Sequence, residues 1–352
     1  MIEIMIHKTM LALIFIFCIA QQSVGQGKDD LYAGWNHLFN IGISGNSNFS
    51  INPRIGQEGI VMQLGFDFEM NNINIDTEYI FENTLRLNFG VNKSSSNLVE
   101  LEDGNDFITP FKKNYDFINL KTKYSKQINF TPNYIAVESY SSTQFLPSYT
   151  GNYIKPHRSD FELLSSFLSP LTSTLSIGVE RRNDFDYVIN FSPIASKIIY
   201  VNDIELAKKP AFNESGDTTI FLGSSLHGNE LVYDEEQNVV RSFKKTRFFF
   251  GSQLTMEYNK EIIPDKLLLQ SDSRFFYNYN GDKKHLDIQV RASVRFTVFA
   301  GLSLGVTAEY INDDNLFFQD LSQNQNVQNN PTALKRGASY NHRFVLNYTL
   351  SK

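Results

Sequence analysis

The sequence predicts an all-β chain: a transmembrane up-and-down antiparallel β-barrel of about twelve strands. Three observations predict it. Apolar and polar residues alternate with period two, so that Ile60, Met62, Leu64, Phe66, Phe68 and Met70 fall on one side of a strand and Gln63, Asp67 and Glu69 on the other. The apolar side is almost free of charge, Lys126 being the one exception within the membrane-length part of a strand. The connections alternate between short and mostly long, as turns at one rim and loops at the other require.

Residues 1–25 read as a secretory signal peptide: Lys8, an apolar stretch from Met10 to Ala20, then small and polar residues, with cleavage after Gly25 or Ala20. The apolar stretch is shorter than the roughly 20 residues of a spanning helix. Phe17 precedes Cys18 where lipoprotein processing takes a small residue, which argues against a lipid anchor. Cys18 is the only cysteine, so the mature chain holds no disulfide framework. The formal net charge of −6 gives no basic surface for nucleic acid. With 30 Phe and 17 Tyr the chain is rich in aromatics, yet no long apolar run follows the signal, which excludes a helical membrane protein.

After a short periplasmic lead at 26–37, the barrel is predicted over 38–352. Its strands are read at 38–50, 58–70, 73–92, 114–130, 133–146, 160–181, 185–202, 244–259, 266–280, 284–298, 300–311 and 338–350. The sixth is read as one long strand because Phe161, Leu163, Phe167, Leu171, Leu175, Ile177 and Val179 share a parity, with Pro170 on the opposite face. Short turns are predicted at 70–73, 130–133, 181–184, 259–266 and 298–300, and long outer loops at 92–114, 146–160, 202–244 and 311–338. Parity is expected to stay in register within each strand, and an even strand number puts both chain ends on the turn side, the periplasm.

A soluble barrel or sandwich also alternates, with its apolar face inward. Strand lengths above the usual five or six residues argue against it, as does a twelve-stranded bore too wide for one layer of aliphatic side chains. In a membrane barrel the polar face lines the lumen, and here it carries Asp67, Glu69, Asp76, Glu78, Glu82, Arg86, Lys121, Lys123, Glu180, Arg247, Glu257, Asp272, Arg274, Asp287, Arg291, Arg295, Glu309 and Arg343. The mixed signs argue against strong charge selectivity. Arg291 and Arg295 near Glu309 and Asp272 either constrict a channel or fill the bore with ion pairs. Outward aromatics gather as girdles, with Phe66, Phe68, Phe130, Tyr187, Tyr258 and Tyr348 at the turn side and Phe89, Phe145, Phe161, Tyr277, Tyr279 and Tyr310 at the loop side.

Candidate chemistry is sparse. Five histidines follow the signal: His37 before the barrel, His157 and His227 in loops, His285 facing the lumen with Asp287, and His342 outward near the rim. Asp287 could orient the His285 imidazole, but no Gly-x-Ser-x-Gly elbow supplies a nucleophile, so an ordinary lumen pair is the expected reading. Asp234, Glu235 and Glu236, or Asp313 and Asp314, read as solvated acidic turns in preference to calcium sites, which need six or more oxygens. No catalytic, cofactor or metal residue is assigned. Segment 202–244, with Ile220, Phe221, Leu222, Leu226, Leu231, Val232 and Tyr233, is too apolar for a disordered tail and reads as a plug or an outer hairpin.

Several stretches resemble an uncharacterised outer-membrane β-barrel family common in Bacteroidota, a domain of unknown function: Phe81–Lys93, Tyr115–Ile128, Ser141–Pro147, Ser166–Glu180 and Phe185–Ala207. The Asn-x-Leu-x-Leu-x-x-Gly hairpin and the Ser-Pro segment carry the likeness. It implies the cell outer membrane and the barrel fold, and no activity. The expected function is a passive or selective pore for small solutes. A closed structural or surface-interaction barrel that binds a partner through its loops is the alternative, and a membrane-embedded hydrolase the third reading. The expected partners are outer-membrane lipid, the barrel-assembly machinery during biogenesis, and an unidentified extracellular partner or solute.

Overall fold

The computed structural model describes residues 33–49, 60–94, 99–101, 107–159, 161–183, 186–204, 206, 245–279, 286–299, 302–312, 318–319, 334–335 and 338–351. Twelve strands form the wall: β1 (Gly34–Phe49), β2 (Ile60–Ile75), β3 (Tyr79–Ser94), β4 (Lys112–Gln127), β5 (Asn133–Thr143), β6 (Leu171–Asn183), β7 (Tyr187–Tyr200), β8 (Thr246–Ile263), β9 (Leu267–Asn278), β10 (Leu286–Phe299), β11 (Leu302–Asn312) and β12 (Ala338–Ser351). Each pairs antiparallel with its neighbour in sequence, and β12 closes on β1 from Leu38↔Ser351 to Ile43↔Leu346. The meander therefore has no free edge, and every wall strand is paired on both sides, as a hydrocarbon surrounding demands.

The faces are inverted relative to a soluble protein. Ile43, Leu64, Ile135, Leu175, Val179, Phe191, Ile194, Phe248, Phe296 and Leu304 are exposed on the outside, whereas the largest fully buried side chains include Lys123, Gln253, Glu138 and Glu180. A soluble monomer rarely exposes more than a few hundred Å² of contiguous apolar surface. An apolar belt around a charged interior is stable only where the outside is lipid, so the molecule is a transmembrane barrel and the soluble alternative fails. Aromatic pairs cluster toward the rims, with Tyr187 opposite Tyr258 in the β7–β8 ladder and Tyr277 and Tyr279 at 5.9 Å between ring centroids. Phe161, by contrast, stacks on Tyr153 within a loop at 5.2 Å and belongs to no girdle.

Short connections at 76–78, 128–132, 184–186, 264–266 and 300–301 share one rim with the start of β1 and the end of β12; the longer ones share the other. The first turn lies beyond the expected 70–73. There, Met70–Ile75 stays paired with Ile80–Leu85, and the chain reverses where the Asp76 carboxylate accepts from Thr77 Oγ1 and the Glu78 N–H, both at 3.2 Å. That is Asx-turn chemistry, which Asn71 and Asn72 do not supply. Asp76 and Glu78 accordingly sit at a rim and not in the lumen. β8 runs past 259 to Ile263, and β1 begins at Gly34, so Trp35 and His37 belong to the barrel instead of the expected lead at 26–37.

The sixth strand is also shorter than expected. Leu163–Ser165 folds back on Ser148–Tyr149 and Leu168 takes a positive φ of 57°, so β6 starts only at Leu171. Shared parity across residues 160–181 was coincidence: proline offers no N–H to the ladder. Consequently the loop extends over 144–170 instead of 146–160. Within the expected loop 92–114, Val99–Glu100 pairs with Phe107–Ile108.

β7 breaks the parity rule. Its register slips between Phe191 and Ile194 toward β6 and between Ser192 and Ala195 toward β8, and Pro193 and Ile194 both face out. Inward positions are even before the slip and odd after it, which turns Lys197 into the bore. On β4, Tyr115 keeps the inward parity of Asn119, Lys121 and Lys123, its ring lying flat over Gly90 and Gly65 and its hydroxyl 3.2 Å from Ser44 Oγ, and the extra residue opposite Gly90/Val91 comes just beyond it. A Cβ at Gly90 would lie 2.3 Å from a ring carbon. Gly90→Ala is therefore expected to destabilise the folded barrel by about 1–3 kcal/mol, and to do so far less in a Tyr115→Ala background. A double-mutant cycle in urea unfolding measures both.

Candidate functional site: the bore

In its turn-side half the bore holds a salt-bridge cluster that ladder geometry assembles from four strands. Lys123 on β4 donates to Glu257 on β8 at 3.0 Å and lies 3.2 Å from Glu82 on β3 and 3.1 Å from Glu180 on β6. Lys121, two residues along and therefore on the same face, meets Glu257 at 2.8 Å. Arg182 bridges Glu82, at 2.7 Å, and Glu180. Three carboxylates thus face three cations, and Lys123 is wholly buried. In so dry a setting ionised groups persist only when each is paired.

Further contacts cross the lumen above and beside this cluster. Arg274 on β9 reaches Glu138 on β5 at 3.1 Å and stacks 3.6 Å over the Tyr140 ring, whose hydroxyl accepts from Gln289 on β10 at 3.3 Å. Lys197 on β7 holds Asp287 on β10 at 2.8 Å. Toward the loops, Ala195, Ile199, Phe249 and Phe276 form a small apolar cluster inside the wall. These contacts cross the bore from the β4–β7 wall to β8, β9 and β10.

On the turn side the bore holds a cavity of about 520 Å³ lined from both walls, by Asn40, Glu69, Arg291 and Arg295 on one and by Lys121, Glu257 and Gln270 on the other, among others. Arg86 crosses its upper end: its Nε lies 3.3 Å from Glu69 on the adjacent strand and its Nη1 3.5 Å from Asp272 on β9. β3 and β9 are six strands apart in a ring of twelve, so this pair spans the bore along a diameter. Arg295 donates to Asn40 on β1 at 3.3 Å, and Arg291 stands opposite both Asp272 and Glu309 in the ladders.

Most of the polar face read from sequence is thus present in the lumen, joined by three charged residues that the reading missed. Glu138 shares the inward parity of a strand that was recognised, and was legible. Arg182 was placed in a turn at 181–184, whereas β6 continues to Asn183. Lys197 was hidden by the bulge. Arg247 lies 4.9 Å over the Phe249 ring, and Asp67 accepts from Asn88. Arg343 sits opposite Thr307 in β12, its side chain outside the described residues.

The described histidine side chains do not assemble. His37 Nδ1 lies 2.7 Å from Asn72 Oδ1 in the β1–β2 ladder. His157 packs edge-on against Tyr153 in the 144–170 loop, where burial and then the nearby Lys155 push its pKa down. His227, His285 and the acidic groups Asp234, Glu235, Glu236, Asp313 and Asp314 lie outside the described residues, as does most of 202–244. His342 falls opposite Ala308, its side chain likewise outside. Among the described residues no group of three or more His, Cys, Asp or Glu is placed to hold a metal.

The loop over 144–170 is pinned to the β4 rim. Asp116 accepts from the N–H groups of Phe145 and Leu146 at 3.0 and 2.7 Å, and Lys113 donates to Gln144 and the Leu146 carbonyl at 2.8 and 3.0 Å. Tyr153 is buried beneath Lys112, 5.1 Å away, and burial pushes its hydroxyl pKa up.

No family model matches the chain, and no curated protein matches it. Among solved structures it is similar to an outer membrane channel from Pseudomonas putida F1 (11% identity, TM-score 0.38, 94% of this chain and 100% of that one). It is similar also to the translocator domain of autotransporter NalP from Neisseria meningitidis (9%, 0.35, 97% of each chain). Outer membrane phospholipase A from Escherichia coli is a third (10%, 0.32, 91% of this chain and 98% of that one). The barrel is defined by its own strand pairing, and these likenesses assign it no activity.

Proposed function

We propose that this chain is an outer-membrane β-barrel whose bore is closed at rest and whose pinned loop-side surface is the part that meets the cell exterior. The long connections then lie outside and the short turns and both described ends in the periplasm. The reading departs from the pore expected of a charged lumen. What carries it is the pairing across the bore: Arg86 with Asp272 along a diameter, and Lys123 with three carboxylates from three strands. An open pore lined by mixed charges keeps those charges on the wall, each facing water; here they face one another. Support for a surface role comes from the 144–170 loop, whose hydrogen bonds to Asp116 and Lys113 order it before any partner arrives, lowering the entropic cost of binding.

A hydrolase has less support, since Asp287, the group expected to orient His285, is engaged by Lys197. Lipid contact along the belt and insertion by the assembly machinery belong to the same reading, as does membership of the Bacteroidota-type barrel family.

Planar-bilayer recording tests the proposal. Purified barrel, shown to be folded by its heat-dependent gel mobility, is expected to give no steady conductance in potassium chloride. Sustained conductance steps from folded wild-type protein would overturn it.

A further inference from the structure

The turn-side cavity carries charges of opposite sign at separate places. With a volume of about 520 Å³ it lies within the roughly 300–1,000 Å³ of sites that hold small molecules. Its lining includes Glu261 and Lys266, exposed at the turn rim, so it is reached from that side. Asn88 on β3 also lines it, is only 3% exposed, and has an Oδ1 without a hydrogen-bond partner among the described residues. A buried acceptor of this kind calls for a donor held in the cavity, either water or a solute.

Two poles point to a solute. The first is acidic. Glu257 on β8 stands opposite Asp272 on β9 in the ladder, both line the cavity, and their side chains are 26% and 25% exposed. Like charges placed directly opposite each other are destabilising, and cations near them relieve the cost. Lys121 and Lys123 hold the two oxygens of Glu257, whereas Arg86 meets Asp272 through Oδ2 at 3.5 Å. A carboxylate offers about four lone-pair sites, so both can accept further donors from the cavity, and an ammonium group with three N–H donors can bridge such a pair. The second pole is basic. Arg295 on β10 has Leu268 and Gly305 opposite it in its ladders, where Arg291 has Asp272 and Glu309. Arg295 donates to Asn40 at 3.3 Å, and the five N–H donors of a guanidinium suffice for that amide and a carboxylate at once. Arg291 fixes the spacing of the poles: it is level with Asp272, and Arg295 lies four residues nearer the turns, about 13 Å along the strand.

We propose that this cavity binds a short zwitterionic solute of the peptide class, its ammonium group between Glu257 and Asp272 and its carboxylate on Arg295. An extended peptide spans about 3.3–3.6 Å per residue, so two or three residues, together with the reach of the arginine side chain, cover the separation. The side of entry, the periplasm, rests on the orientation proposed above, whereas binding itself does not require a closed bore.

Isothermal titration calorimetry of the folded, detergent-solubilised barrel with diglycine and triglycine tests it. Near pH 7 both peptides are zwitterions. Saturable binding is expected, weakened about tenfold or more when the peptide is N-acetylated or supplied as its C-terminal amide. Arg295→Gln is expected to remove the preference for the free carboxylate and keep that for the free amine, and Asp272→Asn to do the reverse, each variant being checked for folding by heat-dependent gel mobility. No saturable binding of either peptide at millimolar concentration would overturn the site and leave water as the content of the cavity. Capped peptides that bind the wild type as well as the free ones, or a folded Arg295→Gln barrel that still prefers the free carboxylate, would overturn the two poles. The capped peptides decide on the wild type alone if a variant does not fold. Conductance by the wild type would overturn the closed bore and leave this site standing.

Discussion

Lys123→Met is expected to be among the most damaging single substitutions in this barrel, lowering its stability by about 3–5 kcal/mol, the usual result of removing one partner from a buried ion pair. Methionine keeps the unbranched stem and much of the volume, so the loss is one of charge. Glu82, Glu180 and Glu257 would then face only Lys121 and Arg182, leaving one negative charge in excess where Glu180 and Arg182 are buried. The loss should fall on assembly, because the four strands that contribute to the cluster meet only when the sheet has curled. Urea titration of protein refolded in lipid vesicles, followed by gel mobility, measures the change. A second substitution separates charge from packing: Lys123→Met with Glu180→Gln restores the balance and should recover a substantial part of the stability. If Lys123→Met alone unfolds within about 1 kcal/mol of the wild type, the cluster is not a buried network of fixed pairs.

The alternation of the sequence contained the wall and its two faces, because lipid on one side and a polar lumen on the other impose period two on every strand. It also contained the membership of the bore: Glu82, Lys121, Lys123, Glu257, Asp272 and Arg274 were all legible as inward. Their partners were not. Arg86 and Asp272 are 186 positions apart, and what joins them is the closure of the sheet and the strand tilt, neither of which has a local signature. The choice between a constricted channel and a bore filled by ion pairs was open for the same reason. Turns failed where polar residues lay inside strands: Asn71 and Asn72 suit a turn as well as a lumen face, and only the Asp76 side chain, placed to accept two hydrogen bonds, marks where the chain reverses. Parity misled twice, before Leu171, where it continued across a break, and at Pro193, where it changed inside a strand. In both cases the deciding residue was a proline, Pro170 read as an ordinary position of one long strand and Pro193 not weighed at all.

Gly178→Ala tests that second place and should be nearly as damaging. Gly178 on β6 faces the β7 bulge, and a Cβ there would lie 2.1 Å from the Phe191 carbonyl oxygen and 2.5 Å from Ser192 Cα. Both are backbone atoms and cannot swing aside as a side chain would, so β6 and β7 must separate or the bulge must move. Moving it is costly. The bulge converts even inward positions into odd ones, and without it at Ser192–Ala195 either Lys197 or Asn190 turns toward lipid. A lysine on the lipid face costs about 2–4 kcal/mol near the midplane of the bilayer, in addition to the lost pair with Asp287. The expected result is a drop of at least about 2 kcal/mol in urea unfolding and a smaller folded fraction on refolding. Gly65→Ala is the fitting comparison: its Cβ meets the Tyr115 hydroxyl and Ser44 Oγ, both at the ends of side chains that can turn away, and its effect should be clearly smaller. Equal losses from the two substitutions would mean that the clash at the bulge is relieved without cost, and that Pro193 does not set the facing of the upper half of β7.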